Sequence, residues 1–150
     1  MPIPDDGDIV RGLGFVALYA AYLEEQVDNL LFTFQPLEPF PEAEQRWQTS
    51  RKIQKAKRLA ATLQFRDQQQ LITDLDACLQ LLDWRNELIH GRIYAGSDRP
   101  DTLKSGRPRV PDREVQSAEL YELVNQLSEA RVAVYRPMIL QIPNALAARQ

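Results

Sequence analysis

The sequence predicts an all-α fold: an up-down bundle of four main helices, with a long basic insert before the last long helix. Three observations carry that expectation. Apolar residues recur at helical spacing through several long stretches. Prolines and glycines gather between those stretches, at Pro36, Pro39 and Pro41 and again across residues 94–111, where they punctuate a chain rather than continue it. The 150 residues, 44% hydrophobic and 26% charged, are one domain's worth and can bury about two-thirds of the unfolded surface.

The first helix is expected from near Asp8 to about Phe34, because Val16, Tyr19 or Ala20, Leu23, Val27, Leu30 and Phe34 fall on one helical stripe. Asp5, Asp6 and Asp8 lie near its N-terminus, where the backbone dipole favours negative charge. Glu24, Glu25 and Asp28 read as its solvated side. The three prolines then form a rigid, extended connector.

A second helix is expected over residues 42–65, with Ile53, Ala56, Ala60 and Leu63 inward. Arg46, Arg51, Lys52, Lys55, Lys57 and Arg58 fall within thirteen residues containing no acid. That strip reads as a solvated face or as a phosphate-facing surface, since lysine and arginine supply much of the affinity for nucleic acid. The functional alternative makes Arg51, Lys52, Lys55 and Arg58 candidate RNA contacts. A net charge of −3 does not oppose it, because the positive charge is locally concentrated. Asp67 can cap a third helix, which runs through the QQQ segment to His90.

After Gly91, which suits the left-handed position that ends a helix, residues 94–111 show no periodicity. They read as a flexible basic loop over residues 95–111, with a short hairpin between residues 92–94 and 109–115 as an option. Arg92, Arg99, Lys104, Arg107 and Arg109 give it cations to place beside His90. The last long helix begins near Ser117, with Glu119 in its first turn, and carries Leu123, Leu127, Ala130 and Val134 inward. Pro137 should kink or end it. Residues 138–142 can continue as a short helix, and residues 143–150 should fray.

The third helix ends against its own pattern. Leu71, Leu75, Cys78 and Leu82 form an apolar stripe whose continuation lands on Arg85 or Asn86 and then on Ile89. Polar groups on an inward face must find partners, because an unpaired buried one costs roughly 1–3 kcal/mol. Local rules tend to fail at functional sites. Residues four apart on a helix lie about 40° apart and residues five apart about 140° apart. Asn86 and His90, the only histidine, therefore share a face, while Arg85 points well away from His90. The two converge if the helix unwinds near Gly91 or if a second copy supplies the opposing face. The second route predicts a homodimer with a composite site. The plainer reading has His90 on the last carbonyls of its helix and Arg85 paired with Asp83 or Glu87.

Arg85-Asn86-Glu87-Leu88-Ile89-His90 followed by Gly91 resembles the R-N-x-x-x-H signature of the HEPN superfamily of small helical domains. The order of elements is similar too, so the likeness spans most of the chain as one helical domain over residues 1–150. The resemblance implies a metal-independent endoribonuclease of toxin or antiviral type, acting as a homodimer. In it Arg85 and His90 would be the catalytic pair and Asn86 the polar residue that orients them. Attack of a ribose 2′-OH on the adjacent phosphate needs a proton acceptor, a donor for the leaving 5′-oxygen and stabilisation of the charged phosphorane. Imidazole serves the proton transfers near neutral pH, and arginine offers forked donors to phosphate. RNA, a second copy and a cognate antitoxin protein are the partners implied, with no cofactor and no metal. HEPN toxins controlled by nucleotide transfer carry a tyrosine two residues after the histidine. Here that position is Arg92, so that mode of control is not expected.

The rival reading is a non-catalytic helical module that binds RNA, a nucleotide or a protein partner; a third is a purely structural helical subunit. One histidine and one cysteine cannot build a typical His/Cys zinc site within one chain. The chain lacks a Walker-type loop and the dinucleotide fingerprint, and no serine sits in a nucleophile elbow. Trp47 and Trp84 read as core or interface anchors. Cys78, on the apolar stripe, reads as a small buried hydrophobe. No apolar run reaches the roughly 20 residues of a membrane span, and the acidic start, MPIPDDGD, is no secretory signal. The expected location is the cytoplasm.

Overall fold

A computed structural model describes residues 1–96, 99–104, 109 and 111–149, the side chains of 94–96, 99 and 100 apart. The chain is a mostly helical bundle with a small stranded insert before the last long helix. Helices α1 (Ile9–Thr33), α2 (Glu42–Gln45), α3 (Thr49–Ala61) and α4 (Gln68–His90) come first. Strands β1 (Arg92–Gly96), β2 (Arg99–Lys104) and β3 (Arg113–Glu114) follow, then α5 (Ser117–Ile139) and α6 (Gln141–Ala147). Contacts group the chain into two compact units, Met1–Ala20 with Gln80–Leu127 and Ala21–Leu79 with Ser128–Gln150. The unit boundaries fall inside α1, α4 and α5.

The second unit holds the expected stripes. Leu23, Val27, Leu30 and Phe34 are buried, as are Ile53, Ala56, Ala60 and Leu63 and then Leu71, Leu75 and Cys78. The helix expected over residues 42–65 is instead two. A turn at Arg46, where the cap amide bonds to Glu44, separates α2 from α3, and α2 buries nothing, so no core contact carries the helix across. Tyr22 lies under Arg131 and Gln26 Nε2 donates to Met138 Sδ at 3.2 Å, which sets α1 and α5 running in the same direction. The first and last long helices of four alternating ones would run opposite ways. Here α3 is a short element, and α4 is the long helix that runs against α5.

Pro137 sits inside α5, which continues to Ile139; the break comes at Leu140, after which α6 begins. Ile142 and Leu146 on α6 are buried, so residues 143–147 are packed helix rather than the expected frayed end. Asp67 stands just ahead of α4, with its carbonyl bonded by the Leu71 amide. Its carboxylate accepts from Gln141 Nε2 at 2.6 Å and from Arg66. Those bonds, that from Arg66 foremost, hold its pKa below the usual aspartate value.

The first unit is organised by the N-terminal segment and α5. Asp8 caps α1, its Oδ1 accepting the Arg11 amide at 3.0 Å. Tyr121 on α5 donates to Asp6 at 2.7 Å, Ser117 to Asp5 at 3.1 Å, and Ile3 N–H to Asn125 at 2.9 Å. Burial, aided by the Asp6 carboxylate, pushes the Tyr121 phenol up to about 12. A Cβ on Gly12 would meet Leu120 at 3.0 Å, so α1 and α5 approach closely there.

The described part of the insert is stranded, and residues 97–98, 105–108 and 110 of the expected flexible loop lie outside the described residues. The strands form an antiparallel sheet in the order β1-β2-β3. Residues 92–94 and 113–114 do not pair with each other, as the optional hairpin between residues 92–94 and 109–115 would have them; β2 stands between them.

Candidate functional site

The site is built at the C-terminal end of α4. The helix stays regular to its last residue, and the Gly91 amide closes the final turn on Glu87 O at 3.1 Å. Gly91 is not in the left-handed region, where Gly7 is the only described glycine. It is needed for room: a Cβ there would collide with Leu103 Cδ1 and stand 2.9 Å from Glu87 O. Glycine ends this helix by admitting a neighbour rather than by reversing the backbone.

Arg85 and Asn86 are half-buried, with Arg85 Nε shielded from solvent, and His90 is exposed. Among the described residues the imidazole has no hydrogen-bond or ion-pair partner. The stripe does not end as expected, since Leu88 is buried and Ile89 is exposed. Arg85, Asn86, Ile89 and His90 thus form an open patch with an apolar member among polar ones. Because α4 stays helical through both residues, Arg85 and His90 keep their separation of about 140° and roughly 7.5 Å along the axis. The helix does not unwind before His90, so within one copy the two residues start from faces well apart.

The insert abuts this helix end. Leu103 on β2 is buried and fills the space over Gly91. Arg92 on β1 and Lys104 on β2 are directly opposite one another, both exposed. Opposite residues of an antiparallel pair point to the same face, and like charges placed so are unfavourable. The sheet therefore presents two adjacent cations starting two residues beyond His90. Arg109 is exposed and has φ 70°, an uncommon backbone for a residue other than glycine. The side chain of Arg99 and the whole of Arg107 lie outside the described residues.

A residue absent from the sequence-derived set holds the insert to the helix. Arg113 on β3 donates from Nε to Glu87 Oε1 at 2.8 Å and through NH1 to Glu119 Oε2 at 2.7 Å, with NH2 on Glu119 Oε1. Trp84 Nε1 donates to the same Glu119 at 2.9 Å. Burial alone would raise the Glu119 carboxyl, but the bonds from Arg113 and Trp84 outweigh it and hold the pKa below the usual value. The same carboxylates raise that of Arg113. Glu87 is thus engaged by Arg113, and Trp84 anchors to α5. Nothing in the local pattern around Arg113 marks it, because its partners are 26 and 6 residues away.

The basic strip on α3 is not a uniform exposed surface. Lys52 and Lys55 are 7% and 5% exposed. Lys52 pairs with Asp28 at 2.8 Å, and Lys55 with Glu44, with Glu38 at 3.1 Å and with Pro39 O at 2.7 Å. Arg58 bonds Glu38 at 2.7 Å and, with Lys55, lowers its pKa. Arg51 is exposed and stacks on Trp47, 3.7 Å from the ring centroid. The expectation that Lys52 and Lys55 face phosphate is corrected on this point: both are turned to internal carboxylates. The signal was available, since Lys52 and Lys55 lie one turn before the buried Ala56 and Leu59.

Cys78 is buried, which pushes its thiol up to about 12. Among the described residues no group of three or more His, Cys, Asp or Glu could hold a metal ion, and no helix is long and apolar enough to cross a membrane. No family model, no curated protein and no solved structure matches the chain.

Proposed function

We propose that the chain is a metal-independent endoribonuclease of toxin or antiviral-defence type, acting as a homodimer through a composite site of Arg85, Asn86 and His90. The observation that carries this reading is the R-N-x-x-x-H run on the closing turns of α4, with an exposed imidazole beside the Arg92–Lys104 cation pair. In this reading a phosphate held by Arg92 and Lys104 lies within reach of His90 from one copy. The guanidinium that stabilises the phosphorane comes from Arg85 of the other, and Asn86 orients the pair. Substrate affinity is then largely electrostatic and salt-dependent.

The test is incubation of the purified chain with RNA in EDTA. The expected result is cleavage leaving a 2′,3′-cyclic phosphate, lost in His90→Ala, from a particle that light scattering shows to be a dimer. Intact RNA, or full activity in His90→Ala, overturns it. A second reading is favoured by one observation, the regularity of α4 that keeps Arg85 and His90 apart in one copy. It is a binding module whose cations hold RNA without cutting, and salt-sensitive binding with no cleavage is its signature.

A further inference from the structure

On the Arg85–His90 turn Leu88 is buried in the core and His90 is exposed. The imidazole is exposed and, among the described residues, unpartnered, so its position follows from whatever fixes the turn beneath it. Glu87 ties that turn at two points. Its carbonyl takes the Gly91 amide at 3.1 Å, and its carboxylate takes Arg113 Nε at 2.8 Å. It also lies three residues before His90, a spacing that makes the two side chains neighbours on the helix surface. A carboxylate so placed can turn toward the imidazole or away from it.

In the structure the Glu87 carboxylate is taken by Arg113. Its guanidinium reaches Glu87 with one edge and grips both oxygens of Glu119 with the other, and the Trp84 indole completes the Glu119 shell. The planar fork can serve both carboxylates at once, which a lysine ammonium, a single point of charge, does poorly. Arg113 is also the register partner of Leu103, the residue seated over Gly91. The strand that carries one exposed cation of the site, Lys104, is thus tied to the motif turn at two places.

We propose that Arg113 is a positioning residue for the Arg85–His90 site: by bridging Glu87 to Glu119 it holds the Glu87 carboxylate off His90 and fixes the last turn of α4 against β3 and α5. This deepens the nuclease reading and rests on it for its consequence in catalysis, yet the placement is measurable without RNA. His90 is the chain's only histidine, so its C2 proton gives a single signal in proton NMR of the intact chain at fixed pH.

The experiment compares wild type, Arg113→Lys, Glu87→Gln and the double variant, with RNA cleavage measured alongside. Arg113→Lys keeps the charge and Glu87→Gln the size, and a thermal melt checks that each folds. The expected result is that Arg113→Lys moves the His90 signal in the wild-type background and not in the Glu87→Gln background, the non-additivity of residues sharing one interaction. In cleavage, Arg113→Lys lowers kcat about tenfold with KM unchanged, as loss of orientation rather than of ligand binding does. A His90 signal that Arg113→Lys leaves in place, or moves equally in both backgrounds, overturns the proposal. Should Arg113→Lys not fold, a His90 signal unmoved by Glu87→Gln overturns it equally. If the NMR pattern holds while wild type leaves RNA intact, the nuclease reading falls and the positioning role stands.

Discussion

Leu103 Cδ1 occupies the place where a Cβ on Gly91 would stand. The residue that ends α4 and the one buried residue described on β2 therefore fit together only because one of them has no side chain. Gly91→Ala forces Leu103 or the strand to move, and overpacking of this kind costs about 1–3 kcal/mol. Urea unfolding of Gly91→Ala should show that loss. Leu103→Ala in the same chain should destabilise by less than it does alone, because it removes the collision as well as the buried methyls. Equal losses in both backgrounds would mean the two residues do not meet.

Acid should loosen the attachment of the insert. The folded Glu119 carboxyl lies below its ordinary value of 4.5. A depressed folded pKa contributes stability that is fully present above the unfolded value and is lost as pH falls through the folded one. The wild type should therefore be more stable than Glu119→Gln at pH 6, and the gap should shrink as pH falls below 4.5 and through the lowered folded value. Denaturant titrations of both chains across that range decide it. A gap that stays constant to pH 2 would remove Arg113 and Trp84 as the source of the shift.

Two sets of cations should separate by experiment. Lys55 is buried and ion-paired, so Lys55→Met should lower stability by about 3 kcal/mol, the low end for breaking a buried pair because its carboxylate partners keep some exposure. It should leave the salt dependence of RNA binding unchanged. Arg92→Gln and Lys104→Gln should do the reverse, altering stability little and each lowering the slope of log Kd against log salt by about 1. Binding isotherms at several salt concentrations, beside melts, test both halves. A lowered slope in Lys55→Met would return α3 to the candidate interface.

The contrast shows where sequence reasoning reaches and where it stops. Periodicity found the buried faces of α1 and α4, because Leu23, Val27, Leu71, Leu75 and Cys78 repeat over several turns and every turn meets core. It misplaced the end of α4, where Ile89 continues the stripe but Leu88 is the buried residue. Burial there depends on what packs against the final turn. β2 was not legible, since RPDTLK holds a proline, an aspartate and, among the described side chains, a single buried residue, and its strand character comes from backbone pairing with β1 and β3. Lys52 and Lys55 looked like surface charge because the acids that receive them, Asp28, Glu38 and Glu44, come from other elements. Arg85, Asn86 and His90 stood out in the sequence as a departure from the helical pattern, and the structure leaves the first two half-buried and His90 exposed. Arg113 did not stand out, because its partners are brought to it only by the fold.

The composite site has a test that needs no knowledge of the RNA target. Arg85 and His90 are carried on one regular helix, about 140° apart, so in the proposed dimer a shared phosphate would be reached by Arg85 of one copy and His90 of the other. Arg85→Ala and His90→Ala homodimers should each be inactive. Mixed and allowed to exchange subunits, they form heterodimers in which one site receives His90 from the Arg85→Ala chain and Arg85 from the His90→Ala chain, while the other site lacks both. Activity should therefore reappear on mixing, remain below that of wild type, and grow at the rate of subunit exchange followed by light scattering or fluorescence transfer. If each copy instead assembled its own site, every heterodimer would hold two damaged sites and mixing would restore nothing. Recovery that outpaces subunit exchange would point to contamination rather than complementation, and a mixture that stays silent after full exchange would refute the shared site.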